Sequence, residues 1–158
     1  QMQQKLSRNT VIIYSSARKN GNTAAHVNSF AEQNEVHVVC LDKFKIPPYS
    51  YSEKYTDDEF FSLFESLLNY DHWVFASPVY WYSTTTQMKT FIDRITDYMD
   101  DEHLKPKLRL LRSKDFSLLS NASSSEAPDA FVAMFKNTFS YLGMRFLTHH
   151  HKSSHTLS

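Results

Sequence analysis

Short apolar segments rich in β-branched residues alternate along this chain with longer segments whose apolar residues recur every three or four positions. The short segments predict five β-strands, over residues 10–14, 35–41, 72–76, 115–119 and 144–148. The longer segments predict four helices, over residues 22–33, 58–69, 85–99 and 129–142. Strands that alternate with helices indicate an α/β fold in which helices cover both faces of a parallel sheet.

The length of 158 residues suits a single domain, which we expect to span residues 1–158. Five strands and four helices in this order predict a doubly wound sheet. About ten residues follow the fifth predicted strand, so a last helix is expected to be short or absent. In such sheets ligands bind beyond the carboxyl ends of the strands, which directs attention to the loops after the first, third and fourth strands.

Charge and cysteine content exclude several kinds of site. The 17 basic residues balance the 17 acidic ones, so the chain lacks the net positive charge typical of proteins that bind nucleic acid or anionic membranes. Cys40, the single cysteine, cannot form an intramolecular disulfide or hold an iron–sulfur cluster or zinc ion by itself. The polar N-terminal segment and the lack of a long apolar run predict a cytoplasmic protein with no membrane span.

The loop after the first predicted strand has the composition of an anion site. It carries Ser15, Ser16, Arg18 and Lys19, and a helix follows from Asn22. The first N–H groups of a helix lack intrahelical partners and carry partial positive charge, so hydroxyls and cations at this place suit a phosphate. An ordinary capped helix is the alternative. A Walker or Rossmann loop is excluded, because the whole chain has only two glycines, Gly21 and Gly143.

The loop after the third predicted strand carries three consecutive aromatic residues, Tyr80, Trp81 and Tyr82. Consecutive side chains cannot all face the core, so these rings suit a flat apolar ligand or a partner subunit. The sequence pattern alone favours neither of the two.

Two motifs carry a resemblance to a known family. The first is Arg18-Lys19-Asn20-Gly21-Asn22-Thr23, preceded by Ser16. The second is Pro78-Val79-Tyr80-Trp81-Tyr82-Ser83, followed by Gln87-Met88-Lys89 and Phe91-Ile92-Asp93-Arg94. In these residues the chain resembles the flavodoxin-like NAD(P)H-dependent FMN reductases, including the branch related to iron–sulfur flavoproteins. The motifs stand in the family's order, and the likeness extends from the first strand to the fifth.

The resemblance implies a flavodoxin-like fold with strand order 2-1-3-4-5, FMN as the cofactor and NAD(P)H as the hydride donor. It implies that four residues hold the FMN phosphate: Ser16, Arg18, Asn22 and Thr23. It implies that six residues wrap the isoalloxazine, largely through backbone groups: Pro78, Val79, Tyr80, Trp81, Tyr82 and Ser83. Amides near Val79–Trp81 would then bond the ring edge. The loop after the fourth strand, with Asn121 and Ser123, would close over the far side of the flavin.

The chain departs from this family in places. Ser15 and Ala17 replace a glycine and a proline of the first motif, and the loop after the fourth strand lacks the family's glycines. Iron–sulfur relatives carry a cysteine cluster after the second strand, where this chain has none, so we expect no iron–sulfur cluster.

Several other polar residues are expected to be structural. A strand places alternate side chains on opposite faces, so at most two of His149, His150 and His151 can share a metal ion, and we expect a solvated strand end with no metal site. Four histidines without ligand spacing are expected at the surface: His26, His37, His72 and His103. Asp93 and Arg94 are expected to pair or to meet a second subunit. Three tyrosines either cover the flavin or pack a long loop: Tyr49, Tyr51 and Tyr55.

The sequence thus predicts an FMN-dependent oxidoreductase that takes hydride from NAD(P)H and reduces a small acceptor of the quinone, azo, nitro or flavin class. No acid–base catalytic residue is expected, because the cofactor carries the chemistry. A flavodoxin-type electron carrier and a flavin-free binding domain are the alternatives, although balanced charge disfavours the carrier. Uncovered apolar surface and surplus aromatic rings predict a homodimer whose interface lies beside the flavin.

Overall fold

The computed structural model describes residues 9–16, 22–34, 36–52 and 54–153. Five strands form one sheet: β1 (Thr10–Tyr14), β2 (His37–Cys40), β3 (His72–Pro78), β4 (Asp115–Ala122) and β5 (Arg145–Ser153). Their order is β2-β1-β3-β4-β5, and every neighbouring pair is parallel. This topology confirms the predicted doubly wound α/β sheet.

Six α-helices connect these strands in the described part of the chain. They are α1 (Asn22–Asn34), α2 (Phe60–Leu67), α3 (Thr86–Arg94), α4 (Thr96–Met99), α5 (Lys105–Leu108) and α6 (Asp129–Tyr141). Two 3-10 turns, Leu41–Lys43 and Arg109–Ser113, follow β2 and α5. The helix predicted over residues 85–99 is therefore two helices, interrupted at Ile95 beside Thr96, where two β-branched residues lower helix propensity.

The larger core lies on the sheet face that α2, α3 and α6 cover, and it is largely aromatic. Phe75 of β3 stacks on Phe139 of α6 with ring centroids 4.3 Å apart, and Phe64 of α2 packs edge-on against Trp73. All four of these rings are buried. Burying each one stabilises the fold by about 1.5–3 kcal/mol.

A smaller core on the opposite face lies beneath α1. Its buried residues are Ile12, Val27, Val74, Ala76 and Leu119, with Phe30 packed against them. β5 ends at Ser153, and in the part of the chain that the structure describes no helix follows it. The second face therefore has one covering helix among the described residues, where the first has three.

β5 extends further than predicted and corrects the expectation of a solvated strand end. Its ladder with β4 continues to Ala122 opposite Ser153, so His149, His150 and His151 lie inside the strand and are half-buried. His72 corrects a second expectation. It is only 1% exposed, because it begins the central strand β3, and its ring bonds Thr10 Oγ1 at 3.4 Å and Ser117 Oγ at 2.8 Å.

Arg94 is a fully buried charge, and it does not pair with Asp93. Its guanidinium bonds the carboxylates of Asp58 and Asp97 and lies 3.6 Å from the centre of the Tyr55 ring. Asp93 instead pairs with Lys89 one helical turn away, at 2.6 Å. Tyr55 thus packs the loop between β2 and α2 onto α3, which favours the structural alternative for this tyrosine.

Candidate functional site

A cavity of about 170 Å³ lies at the carboxyl edge of the sheet, where β1, β3 and β4 end. Its lining residues come from three separate loops and from the start of α1: Ser16, Asn22, Thr23, Pro78, Val79, Tyr80, Asn121 and Ala122. None of them is acidic. Together with the partial positive charge at the N-terminus of the 13-residue α1, this lining favours an anionic group.

Seven residues singled out from the sequence meet at this cavity: Ser16, Asn22, Thr23, Pro78, Val79, Tyr80 and Asn121. Trp81, Tyr82, Ser83 and Ser123 are not among its lining residues. Arg18 lies outside the described residues, as do Lys19 and Gly21.

Thr23 and Asn121 join the first loop to the last. The Thr23 hydroxyl donates to Asn121 Oδ1 at 2.5 Å, and both side chains are buried. Asn121 also accepts the Val79 N–H at its backbone oxygen, at 3.0 Å. Asn121, at the end of β4, therefore holds both the start of α1 and the loop at Val79, which form two sides of the cavity.

A second set of hydrogen bonds ends on a carboxylate that the sequence pattern did not single out. The Met88 N–H donates to Thr85 Oγ1 at 3.1 Å, Thr85 donates to Ser15 Oγ at 2.8 Å, and Ser15 donates to Asp42 Oδ1 at 2.8 Å. The other Asp42 oxygen accepts the Ser16 N–H at 3.1 Å. The direction of this chain is fixed, because an amide can only donate and a carboxylate can only accept.

Asp42 thus links the end of β1 to the first turn of α3. The signal that could have found it is its position directly after β2, at the same edge of the sheet as the other loops. Its negative charge also acts on Tyr14. Burial, a hydrogen bond with Cys40 and the nearby Asp42 charge raise the pKa of Tyr14 to about 12.

The aromatic loop makes a tight turn in an unfavourable conformation. The Tyr80 N–H donates to Ser83 O at 2.7 Å, and the Ser83 N–H donates back to Tyr80 O at 2.9 Å. Between them Trp81 and Tyr82 have φ values of 47° and 69°, a region that favours glycine or asparagine. Residues held in such conformations cluster at binding and active sites.

The three aromatic side chains of the turn differ in direction and in exposure. Tyr80 turns toward the cavity and donates its hydroxyl to Ser16 O at 3.0 Å. The side chain of Trp81 is 93% exposed and that of Tyr82 is 66% exposed. Packing inside this chain therefore does not account for two of the three aromatic rings.

Two of the amides expected to bond the flavin ring already have partners. Val79 N–H donates to Asn121 O, and Tyr80 N–H donates to Ser83 O. In the segment 79–81 this leaves the Trp81 amide, for which the described residues provide no partner. The amide at the tip of the strained turn is thus the one available to a ligand.

Neither a metal-binding cluster nor a membrane-spanning helix occurs among the described residues. Within them, no group of three or more His, Cys, Asp or Glu side chains is placed to hold a metal ion. No helix in the same residues is both long and apolar enough to cross a bilayer.

Comparison with known proteins gives one family match that spans nearly the whole chain. The family model of NADPH-dependent FMN reductases matches residues 9–156. A relative from Bacillus subtilis (strain 168), YwqN, is named as an NAD(P)H-dependent FMN-containing oxidoreductase. It is 21% identical over 143 residues, which cover 85% of this chain and 79% of the relative.

Solved structures share the fold at low sequence identity. The Trp repressor binding protein from Bacillus subtilis superposes with a TM-score of 0.74 at 18% identity, covering 91% of this chain and 87% of that one. An FMN-dependent NADH-azoreductase from Bacillus anthracis, solved with FMN, gives a TM-score of 0.69 at 9% identity, covering 94% and 89%. At these identities the likeness shows a common fold.

Proposed function

Because this chain belongs to the NADPH-dependent FMN reductase family, we propose that it binds FMN at the carboxyl edge of its sheet and passes reducing equivalents from NAD(P)H to a small acceptor. We assign the acceptor to the quinone, azo, nitro or flavin class. The observation that supports the site is the convergence of seven residues, chosen from the sequence motifs, on one cavity that contains no carboxylate.

The first loop and α1 would hold the phosphate of FMN. Asn22 and Thr23 stand at the N-terminus of α1, where backbone N–H groups and the helix dipole favour a dianion. Ser16 lies at the same cavity, and its N–H donates to Asp42 Oδ2 at 3.1 Å. Arg18 completes the proposed set, as a charge-assisted partner contributing about 1.5–3 kcal/mol.

The second and third loops would hold the ring of FMN. Pro78, Val79 and Tyr80 line the cavity opposite the phosphate loop, and Asn121 closes it from β4. Trp81, Tyr82, Ser83 and Ser123 remain part of the proposed site although they lie beyond the cavity lining. When bound, FMN supplies the hydride chemistry, and the residues of this chain position it and exclude water.

We also propose that residues 1–158 form one cytoplasmic domain and that two copies associate beside the flavin. The exposed rings of Trp81 and Tyr82 support the dimer, because aromatic side chains are enriched at the centres of interfaces. A dimer of this kind would bring a second copy next to the aromatic turn. Sedimentation at micromolar concentration with FMN present tests the association, and a mass near 18.5 kDa would contradict it.

An NAD(P)H oxidation assay with FMN-loaded protein tests the reaction itself. Menadione, an azo dye, a nitroaromatic and free FMN serve as candidate acceptors in separate reactions. Acceptor-dependent loss of NADH or NADPH absorbance is expected with at least one of them. Oxidation that is no faster than with free FMN alone would contradict the proposed function.

A further inference from the structure

Two adjoining grooves separate α6 from the helices that follow the aromatic turn. The first, of about 480 Å³, lies between α3, α4 and α6. The second, of about 190 Å³, lies between α5, the 3-10 turn Arg109–Ser113 and the end of α6. Met99, Tyr141 and Leu142 line both of them. The two grooves therefore form one continuous surface, which we call the α6 groove.

The centre of the α6 groove is apolar and open to solvent. Tyr141 is 76% exposed, and Met99, which lines the same two grooves, is exposed as well. Their neighbours Phe139 and Tyr98 are fully buried, so each helix already packs one face on the core and presents the other to solvent. Aromatic residues and methionine are enriched at the centres of protein interfaces. Packing within this chain does not account for the exposed centre.

The second groove is positively charged. Its lining includes three cations, Lys105, Arg109 and Arg112, and no acidic residue. All three groove cations are exposed, and among the described residues none of them lies in an ion pair. In the first groove, by contrast, Lys89 and Asp93 pair with each other at 2.6 Å. The α6 groove thus suits a partner that is acidic and partly apolar.

This chain carries an acidic segment next to the groove. Asp100, Asp101 and Glu102 directly follow Met99, and all three are exposed. Within the described part of the chain, none of them forms an ion pair. Lys105 follows Glu102 at a span of at most about 11 Å. Adjacent acidic and basic patches suit a two-fold interface, because the rotation sets the acidic patch of each copy against the basic patch of the other.

We propose that two copies of this chain associate through the α6 groove. The acidic segment of each copy lies against the groove cations of the other, and the two Tyr141 rings pack near the two-fold axis. The proposal rests on the association proposed above and names its surface. The groove reaches Lys89 in the first turn of α3, and α3 begins at Thr86, just after the aromatic turn. A second copy seated there lies close to Trp81 and Tyr82.

Charge reversal tests the pairing by sedimentation equilibrium of the full chain with FMN present. One variant, Lys105→Glu with Arg109→Glu, gives the groove a net negative charge. The other, Asp100→Lys with Glu102→Lys, gives the acidic segment a net positive charge. Each variant alone should associate at least about tenfold more weakly than wild type, because like charges then face each other at both contacts. An equimolar mixture should associate about as tightly as wild type, because each contact again joins opposite charges.

Two further variants separate the proposed interface from general effects of charge and folding. Lys43→Glu with Lys136→Glu changes the net charge by the same amount at exposed residues outside the α6 groove, and it should associate like wild type. Tyr141→Ser removes the exposed ring at the centre of the groove and should weaken association at least about tenfold. Circular dichroism establishes that each variant is folded.

Wild-type association in either charge-reversed variant would overturn the α6 groove as the interface, while the association beside the flavin would stand. A mixture of the two variants that associates as weakly as each alone would overturn it as well. A wild-type mass near 18.5 kDa would instead overturn the proposed association, and this inference with it.

Discussion

At the scale of single residues, Asp42 links the end of β1 to α3 beside the candidate site. Its two carboxylate oxygens accept Ser15 Oγ–H and Ser16 N–H, and through Thr85 they reach the first turn of α3. No motif pointed to this residue, because its role depends on a strand end meeting the loop of another strand. Sequence patterns show which residues follow a strand, but not the hydrogen bonds between neighbouring loops.

Asp42→Asn should weaken FMN binding. The amide group keeps one acceptor oxygen but sets an NH₂ donor against either Ser15 or Ser16, so the loss is expected to be about 1–3 kcal/mol in binding free energy. Fluorescence titration measures it. Asp93→Asn is the matched control, since it removes a carboxylate from an exposed pair with Lys89 and should leave FMN affinity unchanged. Equal affinity of Asp42→Asn and wild type would contradict the role of the carboxylate.

Substitutions at Trp81 test whether the turn has the left-handed backbone conformation. Because its side chain is exposed, neither Trp81→Gly nor Trp81→Ala should cost core packing. Glycine adopts the positive φ freely, whereas alanine keeps the steric penalty, so the Gly variant should be more stable than the Ala variant by about 1 kcal/mol. Urea unfolding compares the two. An Ala variant that is at least as stable as the Gly variant would show that the turn is not left-handed in solution.

At the scale of elements, the strands and most helices follow from hydrophobic periodicity, while their lengths depend on pairing. β1 runs over Thr10–Tyr14 as predicted, and Gly143, with φ of 99°, ends α6 where the sequence placed it. β5 could not be placed fully, because its last residues are polar and become a strand only through their ladder with β4. Tertiary pairing there overrides local propensity.

The loop between β2 and α2 is held by a buried charge as well as by the apolar packing of Phe44 and Ile46 against the core. Arg94 is fully buried, and it bonds Asp58 and Asp97 and the carbonyl oxygen of Pro47. Burial by itself would raise the pKa of Asp58, but the hydrogen bonds from Arg94 and from the Phe60 N–H leave it below its usual value. A lone arginine in a helical pattern gave no sign of this, because two of its partners, Asp58 and Pro47, are distant in sequence.

Arg94→Ala should therefore be strongly destabilising. It removes a fully buried charge and leaves the partly buried carboxylates of Asp58 and Asp97 without their cation, which costs about 3–5 kcal/mol of the free energy of unfolding. Lys89→Ala, which breaks an exposed pair one turn away on the same helix, should cost less than about 1 kcal/mol. Chemical denaturation measures both, and similar losses in the two variants would contradict the structural role of Arg94.

At the scale of the whole molecule, the alternation of strands and helices, together with the resemblance, was enough to predict the sheet order and the edge at which the loops converge. Seven of the predicted site residues lie at one cavity there. The sequence could not show that Tyr80 alone of the three aromatic residues turns inward, because that depends on the φ values of Trp81 and Tyr82. Nor could it show that Ser120 bonds His149 and His151, because these contacts depend on the residues by which β5 extends beyond its predicted end.

The central claim is that the carboxyl edge of the sheet binds FMN through its phosphate. Parallel titrations of the purified protein with FMN and with riboflavin, followed by flavin fluorescence and absorbance, test it most directly. We expect one FMN per chain and a much weaker affinity for riboflavin, because riboflavin lacks the group that the N-terminus of α1 would hold. Equal affinities would contradict the phosphate site, and no binding of either flavin would contradict the account as a whole.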